Sequence, residues 1–316
     1  MKYVIVILAG ACSFGLLATF VKKAYEIGFS VGDVVGSQNL FGVTMLWLLV
    51  LMSKKFAKRS YDSQAFRITF RQVLLLMTVG TTTGLTGMLY YTALQYIPAS
   101  FAIVLLFQFT WMGILLESVV DRKRPGKDKV LSLIALFVGI IMASGFLGGS
   151  HKGISFLGVA LGLSSAVTYT LFIWFSGRTA KQVAPIARSA IMLSGSFILA
   201  MLVFPPHFII DGSLHEGLLP WGLLLALFGV VIPPLFYAIG VPRIGGGLAS
   251  ILSAAELPMA VMMSYIVLNE MVGWQQWLGV IITLCGIALP ELMKRSLVKK
   301  SSSLKKQYQR SVYRWK

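Results

Sequence analysis

Apolar stretches of about 20 residues recur along the whole sequence, and they constrain the fold more than any other feature. A helix needs about 20 apolar residues to cross the hydrocarbon core of a bilayer. Hydrophobic residues make up 57% of the chain and charged residues only 12%, about half the charged fraction of a soluble protein. The sequence therefore predicts an all-α membrane protein with ten transmembrane helices. The predicted spans are 3–21, 32–52, 72–94, 98–119, 129–147, 154–175, 186–204, 218–240, 246–267 and 274–292.

The basic residues predict the orientation of these spans. With a cytoplasmic N-terminus, 25 of the 28 Lys and Arg residues fall on the cytoplasmic side, and only Lys22, Lys23 and Lys152 fall outside. Cytoplasmic loops are enriched in Lys and Arg, so we expect both termini to be cytoplasmic and the protein to lie in the cell membrane. The first span also has features of a cleaved signal peptide, but Ala9 occupies the position where a lipoprotein cleavage motif has Leu. We interpret it as a transmembrane helix.

The net charge of +17 is concentrated at the C-terminal end. Residues 294–316 are rich in Ser and Lys and predict a disordered cytoplasmic tail. Basic side chains beside a membrane are attracted to anionic lipid, so we expect the tail to contact the cytoplasmic leaflet and not nucleic acid. Cys12 and Cys285 fall inside apolar spans, and the three histidines fall in outer loops. This pattern favours neither a disulfide framework nor a metal site, and we expect no cofactor.

Glu256 is the clearest candidate functional residue. It lies near the middle of the predicted span 246–267, and an ionisable side chain at that depth is costly and typically functional. No Lys or Arg stands at a matching depth, so burial disfavours its ionised form. The acid could carry a proton, face a cationic group of a substrate, or be protonated and bonded to a neighbour such as Ser253. Pro258 has no N–H for the carbonyl of Ala254, which predicts a kink beside the acid.

The two halves of the sequence resemble each other when one is shifted by 147 positions. Gly139 then falls on Gly286, and other glycines that flank the corresponding helices also coincide. The predicted halves are 1–148 and 153–293, with five spans each. Because five is an odd number, the second half must insert upside down, so the sequence predicts an inverted repeat of the kind found in secondary transporters.

The third span of each half contains residues that can interrupt a helix. Gly84 and Gly87 lie in the first half and Pro233 and Pro234 in the second, where Pro234 falls on the repeat position of Gly87. Paired interruptions of this kind indicate a substrate site near the membrane midplane. We therefore predict helix breaks beside a central cavity at these residues and at Pro258. Close helix packing is the alternative role for the glycines.

Amphipathic side chains within the spans complete the predicted substrate site. Sites for small solutes combine a few polar groups with aromatic walls. Gln108 and Trp111 lie about one turn apart near the position that corresponds to Glu256 in the other half. Tyr90 and Tyr237 correspond to each other in the repeat. We predict that these four side chains line the site with Glu256; packing or interfacial roles are the alternative for each.

The second half also carries a pattern typical of a known family. Residues 254–258 (AAELP) place an acid and a proline inside a helix, 268–270 (LNE) end that helix, and Gly279 and Gly286 lie in the final span. With the two five-helix halves, this pattern resembles the drug/metabolite transporter superfamily, EamA type. The resemblance implies a secondary transporter of small organic solutes such as amino acids or metabolites, often an exporter, in the cytoplasmic membrane. The first half departs from the pattern, with Trp111 in the place of the proline.

The predicted mechanism is alternating access, in which the two halves rock around the central cavity. The sequence contains no GxxxxGK[ST] motif, so the driving force is a proton, an exchanged solute or the substrate gradient. A receptor-like or structural membrane protein is one alternative, and an intramembrane enzyme is another. Residues 28–32 (GFSVG) match the nucleophile-elbow pattern, but they join two predicted membrane helices and lack the strand–turn–helix context. We therefore do not expect an enzyme.

Overall fold

The computed structural model describes residues 2–57, 68–93, 95–97, 99–122, 124–143, 155–267, 272–290 and 292–293. Within these ranges the structure is helical and contains no strand. The basic tail at 294–316 and the LNE segment at 268–270 lie outside the described residues. The α-helices are α1 Lys2–Ile27, α2 Val31–Ala57, α3 Phe70–Ala93, α4 Ala99–Leu106, α5 Phe109–Val120, α6 Lys127–Ala143, α7 Phe156–Ser176, α8 Pro185–Val203, α9 Leu219–Leu225, α10 Ile232–Ile244, α11 Gly246–Ser253, α12 Glu256–Val267 and α13 Trp274–Pro290.

Eight helical segments in the described ranges are long and apolar enough to cross a membrane. They include Leu214–Ile244, which combines α9 and α10 with two π-helical stretches, and Gly246–Val267, which combines α11 and α12. The shorter helices α6 and α13 occupy the two remaining predicted positions. Helix is therefore present at all ten predicted positions, and the prediction of an all-α membrane protein is confirmed.

The contacts between helices follow the repeat. α1 packs against α10 and α12, and α7 packs in the corresponding way against α3 and α5. Between α6 and α13, Gly139 lies against the main chain of Gly279, and the hydroxyl of Ser132 donates to the carbonyl of Gly286. A shift of 147 positions places Gly139 on Gly286 and Ser132 on Gly279, so these two contacts correspond to each other in the repeat. These contacts recur in the two halves, as expected for two inverted five-helix repeats.

α3 is a continuous helix over its whole length, so the predicted breaks at Gly84 and Gly87 are wrong. Gly84 faces Ser196 of α8, and one turn earlier Gly80 lies directly against the main chain of Met192. A Cβ atom at Gly80 or Gly84 would overlap with α8. These two glycines therefore bring the helices into close contact, whereas Gly87 has only a distant neighbour.

The chain does leave α-helical geometry before Pro233 and Pro234. The segment Ala226–Val231 is π-helical, and α10 begins immediately after it. The N–H of Ile232 donates to the carbonyl of Leu227, five residues back. Both prolines are buried in the first turn of α10, where their missing N–H groups are tolerated best. A π-helical turn of this kind is rare and frequently lies at a functional site.

Side chains from the first half bind the main-chain carbonyls of the π-helical region. Since Pro233 has no N–H, the carbonyl of Phe228 accepts a hydrogen bond from Ser13 Oγ of α1 at 2.7 Å. The carbonyl of Leu225 accepts one from Gln38 Nε2 of α2 at 3.2 Å. Buried carbonyls need such partners, so α1 and α2 stabilise the irregular stretch.

Candidate functional site

A cavity lies in the centre of the bundle between the two halves. Water-sized molecules can occupy about 130 Å³ of it, and its walls come from both halves. Aromatic side chains form much of the wall, together with small polar side chains and one carboxylate. The lining residues are Phe14, Leu17, Val35, Gln38, Asn39, Thr83, Gly84, Thr86, Gly87, Tyr90, Tyr91, Ile103, Leu106, Phe107, Tyr169, Ser196, Gly229, Val230, Glu256, Leu257 and Ala260.

Glu256 is the carboxylate in this cavity, and it stands immediately after a break in its membrane span. α11 ends at Ser253 and α12 begins at Glu256. The carbonyl of Ala254 accepts from the N–H of Leu257 at 3.2 Å, three residues on, because Pro258 at the usual fourth position has no N–H. Pro258 itself is buried within α12. The interruption thus places the acid at the first position of a helix, beside the cavity.

The first half contains the same break without a proline. α4 ends at Leu106 and α5 begins at Phe109, so the interrupted positions correspond to those before Glu256 in the repeat. Trp111 occupies the place of Pro258, so the sequence alone does not reveal this break. Phe109 occupies the place of Glu256; its ring is fully buried, with its centroid 4.7 Å from that of Tyr169. The two halves share a backbone feature, but only one of them carries the acid.

The Glu256 side chain has no hydrogen-bond donor or basic partner among the described residues. Its main chain is closely covered by α1, where a Cβ atom at Gly15 would lie 2.5 Å from the Glu256 carbonyl oxygen and 2.6 Å from Met259 Cβ. Gly15 therefore allows α1 to pack against the segment that carries the acid. The sequence gives no sign of this role, because it depends on which helix α1 meets.

Neutral polar groups form a second part of the wall. Ser196 Oγ donates to Asn39 Oδ1 at 2.9 Å, and Asn39 Nδ2 donates to the carbonyl of Val35 at 2.9 Å. Gly229 lies so close to Gln38 Nε2 that a Cβ atom there would displace the amide. These contacts fix the orientation of both amides. The sequence does not predict a role for Gln38 or Ser196, since neither stands out from other polar residues in apolar spans.

The two tyrosines that correspond in the repeat have different environments. Tyr90 lines the cavity. Tyr237 is fully buried behind the wall, where its hydroxyl donates to Ser253 Oγ at 2.9 Å and lies 3.2 Å from the hydroxyl of Tyr169. Tyr237 therefore supports Tyr169, which reaches the cavity, and does not line the cavity itself.

Gln108 and Trp111 lie away from Glu256. They line a separate groove between α4, α5 and α6, and 41% of Trp111 is exposed at the bundle surface. Trp111 Nε1 donates to Gln108 Oε1 at 2.8 Å, and Gln108 Nε2 donates to the carbonyl of Val104 at 2.8 Å. Val104, Gln108 and Trp111 follow one another at intervals of about one helical turn, and all three line this groove, so they belong to a face that is directed towards α6.

Comparison with known proteins gives the family. The profile of the EamA-like transporter family matches residues 1–145 and again 156–290. The chain belongs to the EamA-like transporter family. A solved crystal structure also matches 92% of this chain and 98% of its own, with a TM-score of 0.70 at 15% identity, which establishes similarity of fold alone.

The relatives of this family member are named as transporters. It is 25% identical to "Uncharacterized transporter sll1319" of Synechocystis sp. over 88% of this chain and 86% of the relative. It is 24% identical to "Threonine/homoserine exporter RhtA" of Salmonella typhimurium over 76% of this chain and 77% of the relative. It is 21% identical to "Uncharacterized transporter YcbK" of Bacillus subtilis over 87% and 88%. Family and relatives together indicate a multi-pass membrane transporter for small molecules.

In this EamA-like chain, charged pairs join helix ends on one side of the bundle. Glu117 of α5 pairs with Lys129 of α6, and both lie against Gly247 at the start of α11. Arg178, just beyond α7, pairs with Asp121 at 2.6 Å. The central cavity lies nearer to the opposite end, since it is lined by the early part of α2 and the late part of α3. The charged pairs are thus at one end of the bundle, and the cavity lies between its centre and the other end.

Proposed function

We propose that the protein is a secondary transporter that exports small organic solutes, such as amino acids or metabolites, across the cell membrane by alternating access. The observation that carries the proposal is the central cavity between the two repeats, with a carboxylate at a helix break that has no partner in the described part of the chain. Discontinuous helices at the interface of inverted repeats are the usual setting of a transporter site. The name of the relative RhtA, a threonine/homoserine exporter, supports export and amino acids as the first substrates to test.

The proposed movement is a rocking of residues 1–148 against residues 153–293. The structure then represents one of two states, with the cavity towards one side and the ion pairs of Glu117 and Asp121 joining helix ends on the other. The distribution of basic residues supports cytoplasmic termini, which makes the side with the ion pairs cytoplasmic. The tail at 294–316 would lie against anionic lipid there.

Glu256 is the proposed substrate- or ion-binding residue. A carboxylate without a partner at this depth is costly unless a cation or a proton compensates its charge. A proton, an exchanged solute or the substrate gradient could each supply the driving force. Tyr90 is proposed to line the site, and Tyr237 to position Tyr169 on its wall. A receptor-like protein would bind a ligand in the same cavity without moving it, so flux separates the two alternatives.

The test is transport into proteoliposomes with labelled amino acids and related metabolites, at two pH values. Glu256→Gln keeps the shape of the side chain and removes its charge. Glu216→Gln is the matched control, because Glu216 is exposed outside the cavity. We expect substrate flux in the wild type and in the control, and flux that is lost or no longer pH-dependent in Glu256→Gln. Absence of flux for every solute, with folded protein, would contradict the transporter proposal; unchanged flux in Glu256→Gln would contradict the role of the acid.

A further inference from the structure

The charged groups that line the central cavity in the described structure are of one sign, negative. Glu256 is the only carboxylate among its described lining residues, and no Lys, Arg or His is found among them. An anion or a zwitterion that entered the cavity would bring its own carboxylate near Glu256 without a basic side chain to bind it. Like charges in a poorly hydrated site repel strongly, whereas an opposite charge compensates the buried acid. The wall is therefore complementary to a cation.

Several neutral polar groups of the wall make hydrogen bonds within the protein. Gln38 Nε2 donates to a main-chain carbonyl, Asn39 Nδ2 donates to another, and Ser196 donates to Asn39. Thr86 donates to a carbonyl of its own helix and pairs with Thr168. The second N–H of each amide and the tyrosine hydroxyls are also donors, but none of these groups carries a positive charge that would compensate a substrate carboxylate beside Glu256. An ammonium group needs only acceptors, and Glu256 supplies two oxygen atoms with no partner in the described residues.

Aromatic rings provide the remainder of a cation site. Phe14 and Tyr169 meet edge to face with their centroids 6.0 Å apart, and Tyr90 and Tyr91 lie at the same separation. All four line the cavity that holds Glu256. Ring faces attract ammonium groups, and the rings also accommodate an apolar body. Together these groups can bind both parts of an amphipathic amine.

We infer that the cavity selects protonated organic amines that carry an apolar or aromatic body, with Glu256 as the counter-charge, over zwitterions, anions and neutral analogues. This inference rests on the proposed transport function, and among the solutes proposed there it favours amine metabolites over amino acids. It places the ammonium group at Glu256 and the apolar body among the rings.

Binding of three related probes to the purified full-length protein tests the inference. 2-Phenylethylamine, 2-phenylethanol and phenylalanine share one aromatic body and are a cation, a neutral molecule and a zwitterion. Isothermal titration at a pH at which the amine is protonated should show that the amine binds about tenfold or more tightly than the other two. Phenylethanol lacks the bond between charged groups, and the carboxylate of phenylalanine is repelled by Glu256. Equal or tighter binding of phenylalanine or phenylethanol would overturn the inference.

Two variants test whether Glu256 causes the preference for the amine over the alcohol. In Glu256→Gln we expect the advantage of the amine over the alcohol to disappear, and in Glu216→Gln we expect it to persist. An advantage that survives in Glu256→Gln would overturn the assignment of the acid. The wild-type comparison of the three probes decides the substrate class even if Glu256→Gln does not fold.

Flux of the same probes in proteoliposomes separates this inference from the proposed function. Transport of phenylalanine with no binding or transport of the amine would overturn the amine selectivity and leave a transporter. Selective binding of the amine without flux of any solute would support the selectivity and overturn transport.

Discussion

Gly80 is the position where one added methyl group tests the packing between the two halves. It lies on α3, which belongs to the first half, and faces α8 of the second. A Cβ atom at Gly80 would lie 2.7 Å from Met192 Cα and closer still to the Met192 carbonyl group. Carbon atoms in ordinary contact are about 3.5–4.0 Å apart. Gly80→Ala therefore requires the two helices to separate by more than about 1 Å, because the carbonyl atoms of Met192 are closer than its Cα.

The expected loss of unfolding free energy in Gly80→Ala follows from the atoms that the new methyl group would meet. Inserting a methyl group into a packed contact costs about 1–3 kcal/mol. The higher helix propensity of Ala offsets up to about 1 kcal/mol of this loss. Because the Met192 atoms belong to the main chain, they cannot rotate out of the way, and we expect a net loss of about 1–2 kcal/mol. Gly87→Ala is the control on the same helix, since its nearest neighbour would be Tyr91 Cε2 at 4.0 Å.

The measurement is the free energy of unfolding of both variants and the wild type, from SDS titrations followed by circular dichroism. We expect Gly80→Ala to be clearly less stable than the wild type, and Gly87→Ala to be as stable or slightly more stable. Equal stabilities for the two variants would refute the reasoning, because they would show that the contact between position 80 and the main chain of Met192 has no energetic effect.

Two further predictions concern polar contacts and use the same unfolding measurement. Ser13→Ala should cost about 1–2 kcal/mol, because it leaves the carbonyl of Phe228 without its donor. Ser53→Ala, which removes only a bond within its own helix, should cost less, and equal costs would contradict the argument. Glu117→Gln should cost more than Lys129→Gln, because Glu117 lies at the positive N-terminal end of α11. We expect a difference of about 0.5–1 kcal/mol, and the reverse order would contradict this assignment.

The positions of the helices could be predicted from the sequence because the bilayer fixes their length. A run of about 20 apolar residues has few alternatives in a chain with so little charge, and each predicted span contains helix in the structure. The direction of a side chain depends instead on how its helix is rotated within the bundle. The repeat position of Glu256 predicts Gln108 and Trp111 at the substrate site, whereas the structure places them in a groove beside α6.

Glycine and proline differ in how much a sequence can reveal about them. Pro233 lacks an N–H wherever it stands, so its effect on the preceding turn could be predicted. The role of Gly84 depends on its neighbour, because a helix tolerates glycine and only the approach of Ser196 on α8 gives it a function. Gly15 is a similar case, since its importance follows from the main chain of Glu256 on the facing helix.

The two helix breaks show which features of the site both halves share and which belong to the second half alone. Both halves interrupt the same helix at corresponding positions, although only the second has a proline there, so the break belongs to the shared backbone. At the first position after the break, the first half places Phe109, which packs against Tyr169, and the second places Glu256. An acid at the position of Phe109 as well would bury a second like charge in the bundle, which is costly. A single acid opposite an aromatic cluster avoids that cost and leaves one carboxylate for a proton or a cationic substrate.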